Sequence, residues 1–310
     1  MPAVLNRTAR TTSPSIAPTP RTAAALGVAL AALATVVWSG SFVTSRALHD
    51  SVPPVQHAFW RWLVALVAVA PFGARQAWRQ RELIRRHLGF VLLASLLGVT
   101  TYNTLVNQAG VTTPAANMGM IMAASPVLMA LFERAAGVRL GARRVVGLLV
   151  ACAGVLLLIG SGAGGTGFAA GDLWMVAAAC CFGSYSGLLR RRPAELGGAA
   201  FLFTTFLVGT VLLVPAQGVS LAVQGGFEPT AGTVLPILYV GVAFSAVAFF
   251  AWNRAIALVG PSRAGGVYYL QPVCVALLSW VVLGEATGWT QMVCMGLILG
   301  GVVLGAASRR

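Results

Sequence analysis

The stretch "HAFWRWLVAL" (57–66) sets an arginine between two tryptophans inside an apolar run. A cation in hydrocarbon is expensive unless it faces protein or a water-filled path, so Arg61 is the first residue whose type promises chemistry. Two uses fit it. It is either a fixed positive charge lining a pathway, able to hold an anionic or zwitterionic solute, or a side chain snorkelling to the headgroups with Trp60 and Trp62 as anchors. In "TTYNTLVNQA" (100–109), Tyr102, Asn103 and Asn107 lie within another run, the two amides one turn apart on one face. Such groups either bind solute or join helices, the latter worth about 0.6–2 kcal/mol per contact. The stretch "GGVYYLQPV" (265–273) gathers Tyr268, Tyr269 and Gln271 beside Pro272. Pro126 and Pro272 each remove a backbone bond and would kink a helix, exposing carbonyls. Trp38 and Tyr185 would complete an aromatic lining.

The elements that must position these residues follow from composition. Hydrophobic residues make up 58% of the 310-residue chain and charged residues only 9%. A soluble domain is nearer half apolar and a quarter charged. Runs of about 20 apolar residues, each able to cross ~30 Å of hydrocarbon, recur along the whole length. Ten are read: roughly 24–44, 56–73, 88–109, 114–133, 145–161, 172–190, 199–216, 234–253, 262–283 and 289–307. They are continuously apolar and do not alternate, which argues against a β-barrel. Residues 1–23 are rich in Pro, Thr and Ser and are expected to form a disordered tail.

Every basic residue among the 21 is arginine, and 19 fall on one side of the ten-run topology. Only Arg46 lies on the other side, and Arg61 is inside a run. The cost of moving Arg across a bilayer makes the arginine-rich side cytoplasmic, with both termini inside. The expected location is therefore the cytoplasmic (inner) membrane of a bacterium. The same distribution assigns the net charge of +14 to membrane topology, with no nucleic acid as partner.

The chain also repeats itself. "NQAGVTTPAANMGMIMAASPV" (107–127) and "NRAIALVGPSRAGGVYYLQPV" (253–273) share Asn-x-Ala at the start and Pro-Val at the end. "WSGSF" (38–42) answers "CFGSY" (181–185), and "LVALVAVAP" (63–71) answers "LVGTVLLVP" (207–215), both runs ending on Pro. These echoes define a five-run duplication over 24–161 and 172–307. Five is odd, so the second half would enter the membrane inverted relative to the first. The expected fold is an all-α membrane protein of ten transmembrane helices in two inverted five-helix repeats. Asn107 and Asn253, being repeat-related, read as scaffold. Glu285, thirteen residues beyond Pro272, reads as scaffold or as a coupling group.

Two five-helix repeats with W-S-G-S-F in the first run and N-x-A…P across the third and fourth resemble the drug/metabolite transporter superfamily, in its EamA-type branch. The resemblance covers about residues 25–305, and "LGEATGWTQ" (283–291) and the place of Arg61 agree with it. The first half lacks an acid matching Glu285. The resemblance implies a secondary transporter that exports a small metabolite by alternating access between its halves. A non-transporting receptor or scaffold is the alternative.

No nucleotide-binding loop is present, and seven acids and three His form no metal-binding or catalytic pattern, so neither an enzyme, a cofactor nor a metal is expected. The five cysteines, all in apolar runs, read as small core residues. The expected partners are a small-molecule substrate and the lipid bilayer. Gly296/Gly300 and Gly301/Gly305 on the last run permit close contact within the chain or in a homodimer.

Overall fold

The computed structural model describes residues 20–123, 125, 141–162, 169–189 and 191–306. Among these residues all regular structure is helical. Helix α1 (Pro20–Ala47) starts on a proline, whose fixed φ and missing N–H suit a first turn. Residues 20–23, assigned above to the tail, are therefore helical. Helix α2 (Pro54–Arg79) starts the same way and leads to the short α3 (Arg81–Arg86). Next come α4 (Leu88–Ser95), a π-helical segment Leu96–Thr101 and α5 (Tyr102–Ala109), together one span. Helix α6 (Ala115–Ala123) precedes α7 (Ala142–Gly160), α8 (Ala170–Leu189) and α9 (Gly198–Gln224). Helix α10 (Ala231–Tyr239), a second π segment Val240–Val247 and α11 (Ala248–Tyr268) run on without interruption. Helices α12 (Gln271–Leu283) and α13 (Trp289–Ala306) complete the described chain.

Eight helical stretches among the described residues are long and apolar enough to cross a membrane, and Trp289–Gly305 is a shorter apolar helix. The fourth expected run is represented by α6 alone. Pro126 and most of the rest of that run lie outside the described residues.

Three sequence expectations are corrected. The runs do not end at Pro71 and Pro215: α2 continues to Arg79 and α9 to Gln224. A proline deletes one ladder bond, and both rings sit on exposed positions where no neighbouring helix crowds them. The expected ninth helix, 262–283, is divided differently, since α11 continues to Tyr268 and a turn at 269–270 follows. Pro272 stands in the first turn of α12 and kinks no helix. A residue there needs no intrahelical N–H partner, so proline starts this helix at little cost.

Helices pair as α1 with α11, α2 with α9, α5 with α8, α6 with α12, and α7 with α13. The last pair approaches closely: a methyl on Gly147 would stand 2.5 Å from the Gly301 carbonyl oxygen and the Gly305 nitrogen. Gly301 and Gly305 thus pack within the chain, while Gly296 and Gly300 face open space. The largest apolar core lies where α1, α5, α6, α7, α8, α12 and α13 converge, around Met118, Met120 and Met175.

Candidate functional site

Each π segment ends six residues before one of the repeated asparagines, Asn107 and Asn253. A π turn widens the helix and loosens its carbonyls, and such turns concentrate at functional sites. Side chains serve both segments. Asn103 donates through Nδ2 to the carbonyls of Gly98 and Val99, each at 3.2 Å. Trp38 donates through Nε1 to the Phe244 carbonyl at 3.3 Å. Asn103 thus binds its own helix, while it and Asn107, one turn apart in α5, share the buried face expected of them. Asn107 joins elements: it accepts from Ser45 Oγ at 2.7 Å and donates to the Pro54 carbonyl at 3.1 Å. The side chain of Asn253 lies outside the described residues.

Arg61 is 0% exposed, so its guanidinium does not reach the surface as snorkelling requires. One nitrogen, Nη1, donates to Ser41 Oγ at 3.3 Å. Its Cζ lies 4.5 Å from the centroid of Phe244 and 5.2 Å from that of Trp62. Nε and Nη2 have no hydrogen-bond partner among the described residues. A desolvated cation–π contact contributes about 2 kcal/mol. Each buried orphan donor costs about 1–3 kcal/mol, more when charged, and an Arg at a span centre about 2.5–3.5 kcal/mol on insertion scales. The fold therefore does not repay this charge.

Around it the structure brings together most of the expected polar and aromatic residues. Tyr102 lies within electrostatic reach of both Arg61 and Tyr268. Tyr268 meets Trp38 edge-on at 5.8 Å between centroids. Trp38 in turn packs on Phe244 at 6.3 Å and on Trp252 at 5.2 Å. Phe244, Trp38 and Tyr268 thus form a partial ring of aromatic contacts that starts at Arg61. Gln271 Oε1 and Ser245 Oγ are buried beside this ring's members without partners among the described residues. Two expected residues lie elsewhere. Tyr185 packs across Gly98 beside Leu188 and Leu189, and Tyr269 packs between α7 and α13 beside Ala151 and Val302.

Phe244, Ser41, Ser245 and Trp252 escaped sequence reasoning because nothing in an apolar run marks which face meets a partner. Asp172 escaped too. It is 4% exposed at the start of α8, and its carboxylate accepts from Thr113 Oγ1 at 3.0 Å. The only forward signal was an acid at the edge of an apolar run.

A second polar node lies at the arginine-poor face. Glu285 Oε1 accepts from Arg46 Nε at 2.8 Å. Its Oε2 accepts from Ser279 Oγ at 2.7 Å and from the Ala115 backbone N–H, the first of α6, at 3.1 Å. Arg46 Nη1 also donates to the carbonyls of Gly110 and Val111, each at 3.1 Å. One ion pair thus ties the end of α1, the loop before α6, the start of α6 and the segment after α12. The carboxylate also complements the positive end of α6. The described residues contain no group of three His, Cys, Asp or Glu placed to hold a metal.

A family model described as the EamA-like transporter family matches residues 25–160 and again 169–306. A protein of Streptantibioticus cattleyicolor named "probable terminal-alkyne amino-acid exporter" is 29% identical over 88% of this chain and 90% of its own length. The "uncharacterized transporter YdfC" of Bacillus subtilis is 24% identical over 86% of each chain. The "uncharacterized inner membrane transporter YedA" of Escherichia coli K12 is 25% identical over 87% of each. One solved crystal structure shares the fold with a TM-score of 0.61 at 24% identity, over 90% of this chain and 95% of its own.

Proposed function

Because the chain belongs to the EamA-like transporter family, we propose that it is a secondary transporter exporting a small metabolite that carries an anionic or zwitterionic group. The observation that carries this reading is Arg61: fully buried, ringed by aromatic side chains, with two guanidinium donors free to grip an anion. A carboxylate is the matching acceptor, since it takes two parallel N–H bonds from one guanidinium. Trp38, Phe244 and Tyr268 offer apolar surface to the rest of the molecule. Tyr102 and Gln271 supply further hydrogen bonds, and the orphan Oε1 of Gln271 suits a donor such as an ammonium.

Alternating access between two inverted five-helix halves is the mechanism we propose. The helix pairing supports it. Exchanging the halves turns α7·α13 and α2·α9 into themselves and α1·α11 into the pair made by α8 and α5. The two π segments, at matching places in the halves, offer loosened backbone on both sides of the ring. The arginine distribution supports cytoplasmic termini in a bacterial inner membrane. Flux then follows the solute's own gradient or an exchanged solute.

The test compares metabolites in the medium of cells carrying the unmutated protein, Arg61→Ala at matched membrane level, and an empty vector. One or a few compounds should accumulate outside with the unmutated protein alone. Identical profiles for protein and vector would overturn export. Equal accumulation with Arg61→Ala would remove Arg61 from the site.

A further inference from the structure

On the arginine-rich face, α2 turns into α3 at a corner crowded with positive charge. Between Arg75 and Arg86 lie five arginines and one acid, Glu82. Helix α3 is too short to be stable alone and is held by its apolar side. Leu83 and Ile84 pack half-buried against a small core of Val91, Ala94, Leu196 and Phe201. The other side presents Arg81, Glu82, Arg85 and Arg86, all exposed. This amphipathic helix follows directly on the end of the α2 span, which suits it to lie along the membrane surface. The last turns of α2 expose Phe72, Arg75, Trp78 and Arg79 on one side. Trp78 is 70% exposed, and the Arg81 guanidinium lies 5.1 Å from its ring centroid.

The corner is fixed to the second half of the chain. Gln80 Nε2 donates to the Glu195 carbonyl at 3.3 Å, and Gln80 Oε1 accepts from the Gly197 N–H at 3.0 Å. The segment so held carries Arg191 and Arg192, both exposed, and Arg192 Cζ lies 5.8 Å from the Phe201 ring centroid. Glu82 is shared between Arg81 Nε at 3.7 Å and Arg85 Nη1 at 3.4 Å. Among the described residues Arg75, Arg79, Arg86, Arg191 and Arg192 form no ion pair. Arg75 and Arg79 stand one helical turn apart, as do Arg81 and Arg85, and like charges at that spacing repel. Sidedness of insertion asks for arginines on this face. It does not ask for them to be gathered on an amphipathic helix beside an exposed tryptophan. Arg143 and Arg144, on the same face, simply begin the spanning helix α7.

We propose that this corner is a binding site for an anionic phospholipid of the adjoining leaflet. The lipid phosphate meets the guanidiniums of Arg81 and Arg85, whose paired N–H donors match phosphate oxygens. Trp78 lies at headgroup level, and the acyl chains follow the exposed Phe72 side of α2. Basic clusters beside a span attract anionic headgroups on the same electrostatic ground. Bound there, the phosphate offsets the repulsion within α3 and covers the joint that Gln80 makes between the two halves. The site is separate from Arg61 and does not depend on what Arg61 binds.

The test adds dioleoyl phosphatidylglycerol or dioleoyl phosphatidylcholine to the purified full chain in detergent and counts bound lipid by native mass spectrometry. Phosphatidylglycerol should bind at least about tenfold more tightly than phosphatidylcholine. Arg81→Gln combined with Arg85→Gln should weaken phosphatidylglycerol by about tenfold or more, since each arginine near a headgroup is worth about fivefold. Arg143→Gln combined with Arg144→Gln removes the same charge from the same face and should change binding by less than about twofold, because screening confines the effect to nearby charges. Equal losses in the two variants, or equal binding of the two lipids, would overturn the site. Where the α3 variant fails to fold, the unmutated chain in mixed nanodiscs of the two lipids decides, with bromine on one lipid or the other. The emission of Trp78, taken as the part lost in Trp78→Phe, should be quenched more by brominated phosphatidylglycerol than by brominated phosphatidylcholine. Equal quenching would overturn the site.

Discussion

At the scale of single residues, the fate of Arg61 separates a structural charge from a working one. A buried cation whose donors lack partners lowers stability, so replacing it with an isosteric apolar residue should help the fold. Arg61→Met is therefore expected to raise the apparent melting temperature in detergent while reducing export of the identified compound by tenfold or more. The transport loss follows from losing a charge-assisted pair worth about 1.5–3 kcal/mol. Arg61→Lys keeps the charge but not the two-donor fork, and should fall between Met and the unmutated protein in flux. A melting temperature that drops in Arg61→Met would make the residue part of the scaffold. The type and apolar setting of Arg61 were visible in "HAFWRWLVAL". Its contact with Phe244, 183 positions on in the chain, was not, because apolar runs carry no mark of which neighbour they meet.

At the scale of elements, the glycines of α7 and α13 and the node at Glu285 make opposite kinds of claim. Gly301 stands 2.5 Å, as a notional methyl, from the Ala151 nitrogen and the Gly147 carbonyl, both backbone atoms that cannot swing aside. Gly301→Leu should lower the melting temperature, with a cost of at least about 1–3 kcal/mol from overpacking. Gly300→Leu, which meets open space, should leave it unchanged and serves as the matched control. Glu285 accepts three hydrogen bonds, two from neutral donors and one from Arg46. Glu285→Gln should cost about 1.5–3 kcal/mol, the range for bonds to a charged group. The double exchange Arg46→Glu with Glu285→Arg should recover part of the ion pair but not the bond from Ala115. Thermal melts of the two single variants and the double measure the coupling. Additive losses would mean that the 2.8 Å contact contributes nothing of its own.

At the scale of the whole molecule, the proposed inverted halves predict a pattern of sidedness. Cysteines placed at Ser51 and Ala286 should label from outside intact cells. Those at Gln80 and Gly141 should label only after the cells are made permeable. Ser51, Gln80 and Gly141 come from the first half and Ala286 from the second, so an odd helix missing between any two of them would break the alternation. Labelling of Gln80→Cys from outside would overturn the orientation read from the arginines.

The properties decided by the sequence alone are those that each residue determines where it stands. Apolar runs, arginine asymmetry and the repeated Asn-x-Ala…Pro-Val stretch establish a multi-pass, duplicated membrane chain, because partition between water and hydrocarbon acts locally. The sequence also picked out Trp38, Arg61, Tyr102, Tyr268 and Gln271, since polar and aromatic groups inside hydrocarbon stand out against it. Tertiary structure decided which of the candidates meet. It turned Tyr185 and Tyr269 toward other helices, turned Asn103 onto its own π segment and set Arg46 against Glu285. In runs apolar on every side, the face that points inward is chosen by close packing across the bundle, and that choice exists only once all the helices are in place.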